Sequence, residues 1–200
     1  MHSVLLLDPY NERAIYALGS YARLFRNEGD TRTATALGEE LVAKLLAATG
    51  RTATVVSLRG IANSGYDGAL GHLRPFLFSS DEGVRGTATR ALQSMRAPRV
   101  DELIATKITT DKSPIVQIAA LDAANVRSPN DTLVAAVLKA AVDSEPRVRF
   151  RSVDVIDRWL PVRPELSRTL ATVAQADAEP RVRERAAAIL SKRAPEKSAQ

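Results

Sequence analysis

Three aspartates and three arginines stand at fixed distances from a recurring valine. They are the residues here whose types and spacing could do chemistry. Asp111, Asp143 and Asp177 precede Val116, Val148 and Val182 by five positions. Arg85, Arg149 and Arg183 follow Val84, Val148 and Val182 by one, and Gln117 takes that place after Val116. The stretches read "DSEPRVRF" at 143–150 and "DAEPRVRE" at 177–184, with looser copies "DKSPIVQI" at 111–118 and "SSDEGVRG" at 79–86. A row of guanidiniums can grip anions through paired N–H groups. Matched carboxylates at the same turns would cancel much of that field. The pattern therefore reads first as a polar ladder that fixes each turn and joins neighbouring repeats, and second as an anion-binding row.

Other chemistry is excluded residue by residue. The chain has no cysteine, which removes disulfides, thiol nucleophiles and cysteine–zinc sites together. Its histidines are His2 and His72, and neither has the neighbours that a metal site needs. No nucleophile elbow, phosphate loop or dinucleotide fingerprint occurs. Gly60, Gly65, Gly68 and Gly71 suit helix ends and close contacts, and Asp101 and Glu102, adjacent in sequence, point in different directions on a helix. No catalytic, cofactor-binding or metal-binding residues are expected, and the chain reads as a non-enzyme.

The elements that carry these residues follow from the period. The four valines are spaced 32, 32 and 34 residues apart. Four positions after each comes a small residue: Ala88, Ala120, Ser152, Ala186. Seven and eight positions after come apolar residues, as in Val155 and Ile156. Offsets of four, seven and eight mark one face of a helix. Pro114, Pro146 and Pro180 suit a first helical turn, where the missing N–H costs nothing. A second helix is predicted in each unit, over 98–109, 130–143 and 164–177, with Asn130 or Asp131 as a cap and Pro164 as a start. Upstream, 52–80 reads as helix, a turn at Asn63–Gly65, and helix, while 11–30 and 31–50 make a longer pair. About eleven helices and no convincing strand are expected. "VLLL" at 4–7 reads as helix or the frayed end of a repeat.

The period suits several helical repeats. The tetratricopeptide pattern is absent, and the Asp–Pro–Val-Arg turn resembles that of HEAT and HEAT-like repeats. The expected fold is all-α: a right-handed α-solenoid of HEAT-like hairpins over 1–193, about five helix pairs plus a terminal helix, with 194–200 as a disordered tail. Stacked repeats form one elongated unit without internal boundaries. Aromatics are only 4% of residues, so the core must be built from Ala, Leu, Val and Ile.

A more specific resemblance lies in the order of "YALGSYARLFRNEGD", "LRGIANSGYDGALGHLRPFL", "VRGTATRALQSM" and "VDELIATKITTDKSPIVQIAALDA". It is similar to the later part of the α-helical domain of large lipid transfer proteins, the vitellogenin and microsomal triglyceride transfer protein family. That family's Leu-Gly-Asn-Ala-Gly helix end is matched here by Ile61-Ala62-Asn63-Ser64-Gly65. The resemblance spans roughly residues 14–160. It implies a curved double layer of helices that contacts partner proteins. In the family this layer embraces a lipid-carrying sheet funnel. No such sheets are predicted here, so lipid is left open.

The function expected is a non-enzymatic scaffold or adaptor whose curved surface binds another protein. The alternative is a DNA-binding or alkyl-base glycosylase-like HEAT protein, prompted by 28 basic against 23 acidic residues and a pI near 9.8. Charge placement argues against nucleic acid. The second helices, expected to line the groove, carry few bases, whereas Arg85, Arg90, Arg147, Arg149, Arg151, Arg158, Arg181, Arg183 and Arg185 sit on the first helices and their turns. Trp159 is expected to pack rather than to stack on a base. No apolar run reaches a membrane span and no secretory leader is recognisable, so the cytoplasm is the expected compartment. The apolar start, where a terminal repeat ought to be polar, predicts that the N-terminal end self-associates, contacts a partner or continues into further sequence.

Overall fold

A computed structural model describes residues 4 and 7–193. The expected tail at 194–200 lies outside the described residues, as do His2 and parts of "VLLL"; Val4 and Leu7 of that run are helical. From Glu12 onward eleven α-helices occur among the described residues, and no strand. They are α1 Glu12–Asn27, α2 Thr31–Ala47, α3 Gly50–Ser64, α4 Leu70–Leu77, α5 Glu82–Ala91, α6 Val100–Thr110, α7 Pro114–Asn125, α8 Asp131–Ala140, α9 Pro146–Trp159, α10 Ser167–Ala176 and α11 Pro180–Arg193. Short 3₁₀ turns stand at 67–69, 92–94 and 164–166, so Pro164 opens a 3₁₀ turn ahead of α10. Among the described residues no helix is long and apolar enough to cross a membrane.

Local chemistry explains the boundaries. Asn11, Asp30, Asp81 and Asn130 cap α1, α2, α5 and α8 by accepting a backbone N–H of the first turn. Pro114, Pro146 and Pro180 each open a helix. Gly65 ends α3 in the left-handed conformation, with φ +60°. The anchor valines and the small residues four positions on are all buried. Each small side chain lets the next helix approach closely.

The repeat phase differs from the sequence expectation. Helices packed as antiparallel hairpins are α4 with α5, α6 with α7, α8 with α9 and α10 with α11. The acidic turn therefore sits between the two helices of a packed hairpin and does not open the unit. The reason is that the turn's side chains bond across it, whereas the connections from α5 to α6, α7 to α8 and α9 to α10 separate helices that barely meet. The layers follow from the same contacts. Every successive pair of odd-numbered helices is in extensive contact, from α1 on α3 to α9 on α11. Among the even-numbered helices α6 packs well on α8, but α4 with α6 and α8 with α10 touch sparsely or not at all. A stack spaced more tightly in one layer curves toward that layer. This spacing marks the odd helices, the arginine-bearing ones, as the inner layer, in the place where the sequence reading put α6, α8 and α10. One apolar core runs between the layers from Ala14 to Ile189.

Candidate functional site

The ladder residues converge at the hairpin turns. Arg149, on the first turn of α9, donates from Nε and Nη2 to both oxygens of Asp177, each at 2.8 Å. Its Nη1 donates to the carbonyls of Asp143 and Ser144, at 2.9 and 3.2 Å. One guanidinium thus closes its own turn and grips the carboxylate of the next. Arg85 repeats this with Asp111, at 3.1 and 3.2 Å, and with the Ser79 and Ser80 carbonyls. Gln117, in the arginine's place, donates to Asp143 at 3.0 Å and to the Ile108 carbonyl. Arg183 closes its turn on the Asp177 and Ala178 carbonyls. Each aspartate also accepts the backbone N–H two positions on, from Ser113, Glu145 or Glu179. The pairing runs from one unit to the following one.

These pairs are largely withdrawn from water: the side chains of Arg149 and Asp177 are 12% and 4% exposed. The Arg149 hydrogen bond holds the Asp177 carboxyl below the usual range and outweighs burial. The same bond raises Arg149. For Asp111 burial pushes upward, but Arg85, the Ser113 amide and Lys107 together pull the carboxyl down. Lys107 is itself buried, 3.3 Å from Asp111 and over the Phe78 ring at 4.3 Å from its centre.

Sequence reasoning missed a second set of ties at the other end of the odd helices. Arg127 donates to the Met95 carbonyl at 2.7 Å, and Trp159 Nε1 donates to the Arg127 carbonyl at 3.0 Å. Each donor stands 32 residues beyond its acceptor. Arg193 reaches the Asp157 carbonyl and carboxylate. The positions are equivalent but the letters differ, so no repeat of letters could reveal them. Trp159 is fully buried by this contact and packs.

On the solvent side of the inner layer, charges alternate between α7, α9 and α11. Arg151 pairs with Asp122 at 2.5 Å and with Asp154 at 3.2 Å. Arg185 bridges Asp154 at 2.8 Å and Asp157 at 3.6 Å. Arg158 and Arg90, on the same layer, are exposed. Beside the N-terminal ends of α9 and α11 a 490 Å³ hollow is lined by Glu145, Arg147, Phe150, Glu179 and Arg181. Ile115 and Phe150 are exposed apolar side chains on these inner helices. Among the described residues no group of His, Cys, Asp and Glu is arranged to hold a metal ion. His72 lies on α4, apart from the ladder.

No family model and no curated protein matches the sequence. Similar solved structures are helical repeat proteins. One is the complex of CpcE and CpcF of phycocyanin lyase from Nostoc sp. PCC7120, with a TM-score of 0.60 and 19% identity over 78% of this chain and 99% of that one. Another is a designed armadillo repeat protein in complex with the peptide (KR)4, with a TM-score of 0.58 and 20% identity over 90% of each chain. At these identities the likeness is one of fold: the chain is an α-solenoid of the HEAT and armadillo type.

Proposed function

We propose that the chain is a non-enzymatic scaffold that holds a partner protein or peptide against the inner layer of odd helices. The observation that carries this reading is the solvent face of α7, α9 and α11, where Arg151, Asp154, Asp157 and Arg185 present both signs of charge beside exposed apolar side chains. Such a mixed, rigid surface offers orientation through charge and contact area through apolar groups. The two similar structures support it, since one is a complex of two chains and the other a complex with a peptide. The six ladder residues, Asp111, Asp143, Asp177, Arg85, Arg149 and Arg183, are assigned to holding the stack, because Arg85 and Arg149 bond turn carbonyls and the next aspartate, Asp143 accepts from Gln117, and Arg183 closes its own turn.

From the large lipid transfer family this reading takes only the curved helical embrace of a partner, and it assigns no lipid. Self-association through the N-terminal end belongs to the same proposal. Its support is the outward side of α1, where Tyr16, Tyr21 and Leu24 are exposed; light scattering that finds only monomers would remove it. For the main reading the experiment is affinity capture with cross-linking. Arg151→Glu with Arg185→Glu should abolish capture of the specific partner, and Lys139→Glu on the outer α8 should leave it unchanged. Retained capture by the inner-face variant would refute the reading. Salt-sensitive binding to duplex DNA, lost in that same variant, would favour the nucleic-acid alternative.

A further inference from the structure

Where the odd helices end, a cleft of 580 Å³ opens between the last turn of α1, the 93–96 segment and the end of α7. Four arginines line it, Arg23, Arg26, Arg96 and Arg127, with Asp101 as the carboxylate in the same lining. Two of the four are engaged. Arg127 holds the Met95 carbonyl and pairs with Asp101, and Arg26 donates to the Gly65 carbonyl. Helix C-termini are partially negative and carry unpaired carbonyls. Those two guanidiniums answer that local demand. Arg23 and Arg96 do not: both are exposed, and neither side chain has a hydrogen bond or ion pair among the described residues. Asp67, held by the Arg96 and Ala97 amides, lines the neighbouring crevice, which shares Arg26 with this one.

We infer that this cleft receives an acidic segment of the partner protein, with carboxylates on Arg23 and Arg96 and an apolar side chain against Val126. The inference rests on the protein-binding reading above and adds the partner's chemistry. Val126 lines the cleft and is 56% exposed, an apolar surface between cations that a peptide side chain can cover. Nucleic acid fits less well for two reasons. A phosphate backbone needs a contiguous track of cations, and beyond this cleft Arg151, Arg185 and Arg193 are each matched by Asp122, Asp154 or Asp157, which leaves Arg158 as the single unpaired arginine of the hollow they line among the described residues. Bases gain from stacking on aromatic rings, and the cleft lining contains none.

The test is fluorescence anisotropy with a short labelled peptide alternating glutamate and valine, run beside its glutamine counterpart and a labelled DNA duplex at one low salt concentration. The acidic peptide should bind the wild-type chain. Arg23→Gln combined with Arg96→Gln should weaken it by on the order of tenfold or more, since two charged hydrogen bonds are lost. Because neither side chain has a partner, the double variant should melt like wild type, and Arg23→Lys with Arg96→Lys should keep most of the binding. Equal binding of the glutamine peptide, or unchanged binding by the double variant, overturns the inference. So does DNA that binds more tightly than the acidic peptide and is lost in the double variant, which would make the cleft a phosphate site. If the natural partner is captured equally by the Arg23/Arg96 variant but lost with Arg151→Glu and Arg185→Glu, this inference fails while the scaffold reading stands.

Discussion

The two ends of the solenoid are held together by different physics. Around α1 and α3 the helices meet through glycine. A Cβ placed on Gly19 would lie 2.4 Å from the Gly60 carbonyl oxygen, and one on Gly60 would lie 2.6 Å from the Ile15 side chain. Asn63 then closes the contact by donating to the Tyr16 carbonyl and to Ser20. From α5 onward the helices are stitched at the turns by Arg–Asp pairs and at the far ends by Arg127, Trp159 and Arg193. Close packing joins only the two helices that touch. The stitched half uses one device at successive turns, so its units can be copied, and copied letters are what the sequence displays.

The contrast can be broken from either side. The largest effect is expected from Arg149→Ala, which leaves the Asp177 carboxylate buried without its cation and frees two turn carbonyls. It should lower stability by about 4 kcal/mol in urea melts. Gly19→Ala attacks the other half. The new methyl meets backbone rather than a movable side chain, and the helices must part, at a cost of about 3 kcal/mol.

Acid should separate the two. The carboxyls of Asp111 and Asp177 are held below their usual range in the folded chain. Their contribution is therefore complete above the unfolded value of about 4 and is lost as pH falls through the lower folded values. The penalty of Arg149→Ala should shrink across that acid window, while that of Gly19→Ala stays constant. Melts at a series of pH values check both. The smallest effect is a gain. Gln117→Arg would complete the ladder toward Asp143, and it should add about 1 kcal/mol, read from the same urea melts.

The same contrast explains what was legible in the sequence. The period, the anchor valines, the helix-opening prolines and the buried small residues repeat, because each unit solves the same packing problem. Asp143 and Arg149 were visible for that reason. The hairpin phase was not, since the turn's cross-links and the layer contacts depend on which helices fold onto each other. Nor were Arg127, Trp159 and Arg193, where different side chains perform similar bonds. Nothing in the sequence marks Lys107 as buried, yet it lies against Asp111 and Phe78 out of water. Gly19 and Gly60 lie far apart in the chain, and nothing local marks them as a contact. The arginine cleft draws on α1, the 93–96 segment and α7, so it exists only once the stack is built.

The most direct test of the stitched half is a double-mutant cycle on Arg149 and Asp177. Urea melts would compare Arg149→Ala, Asp177→Ala and the pair against wild type. If the two side chains tie neighbouring units, the double variant loses much less than the single losses added together, with a coupling of about 2 kcal/mol. Additive losses, or an Arg149→Ala chain that melts like wild type, would contradict the ladder as the device that holds these repeats.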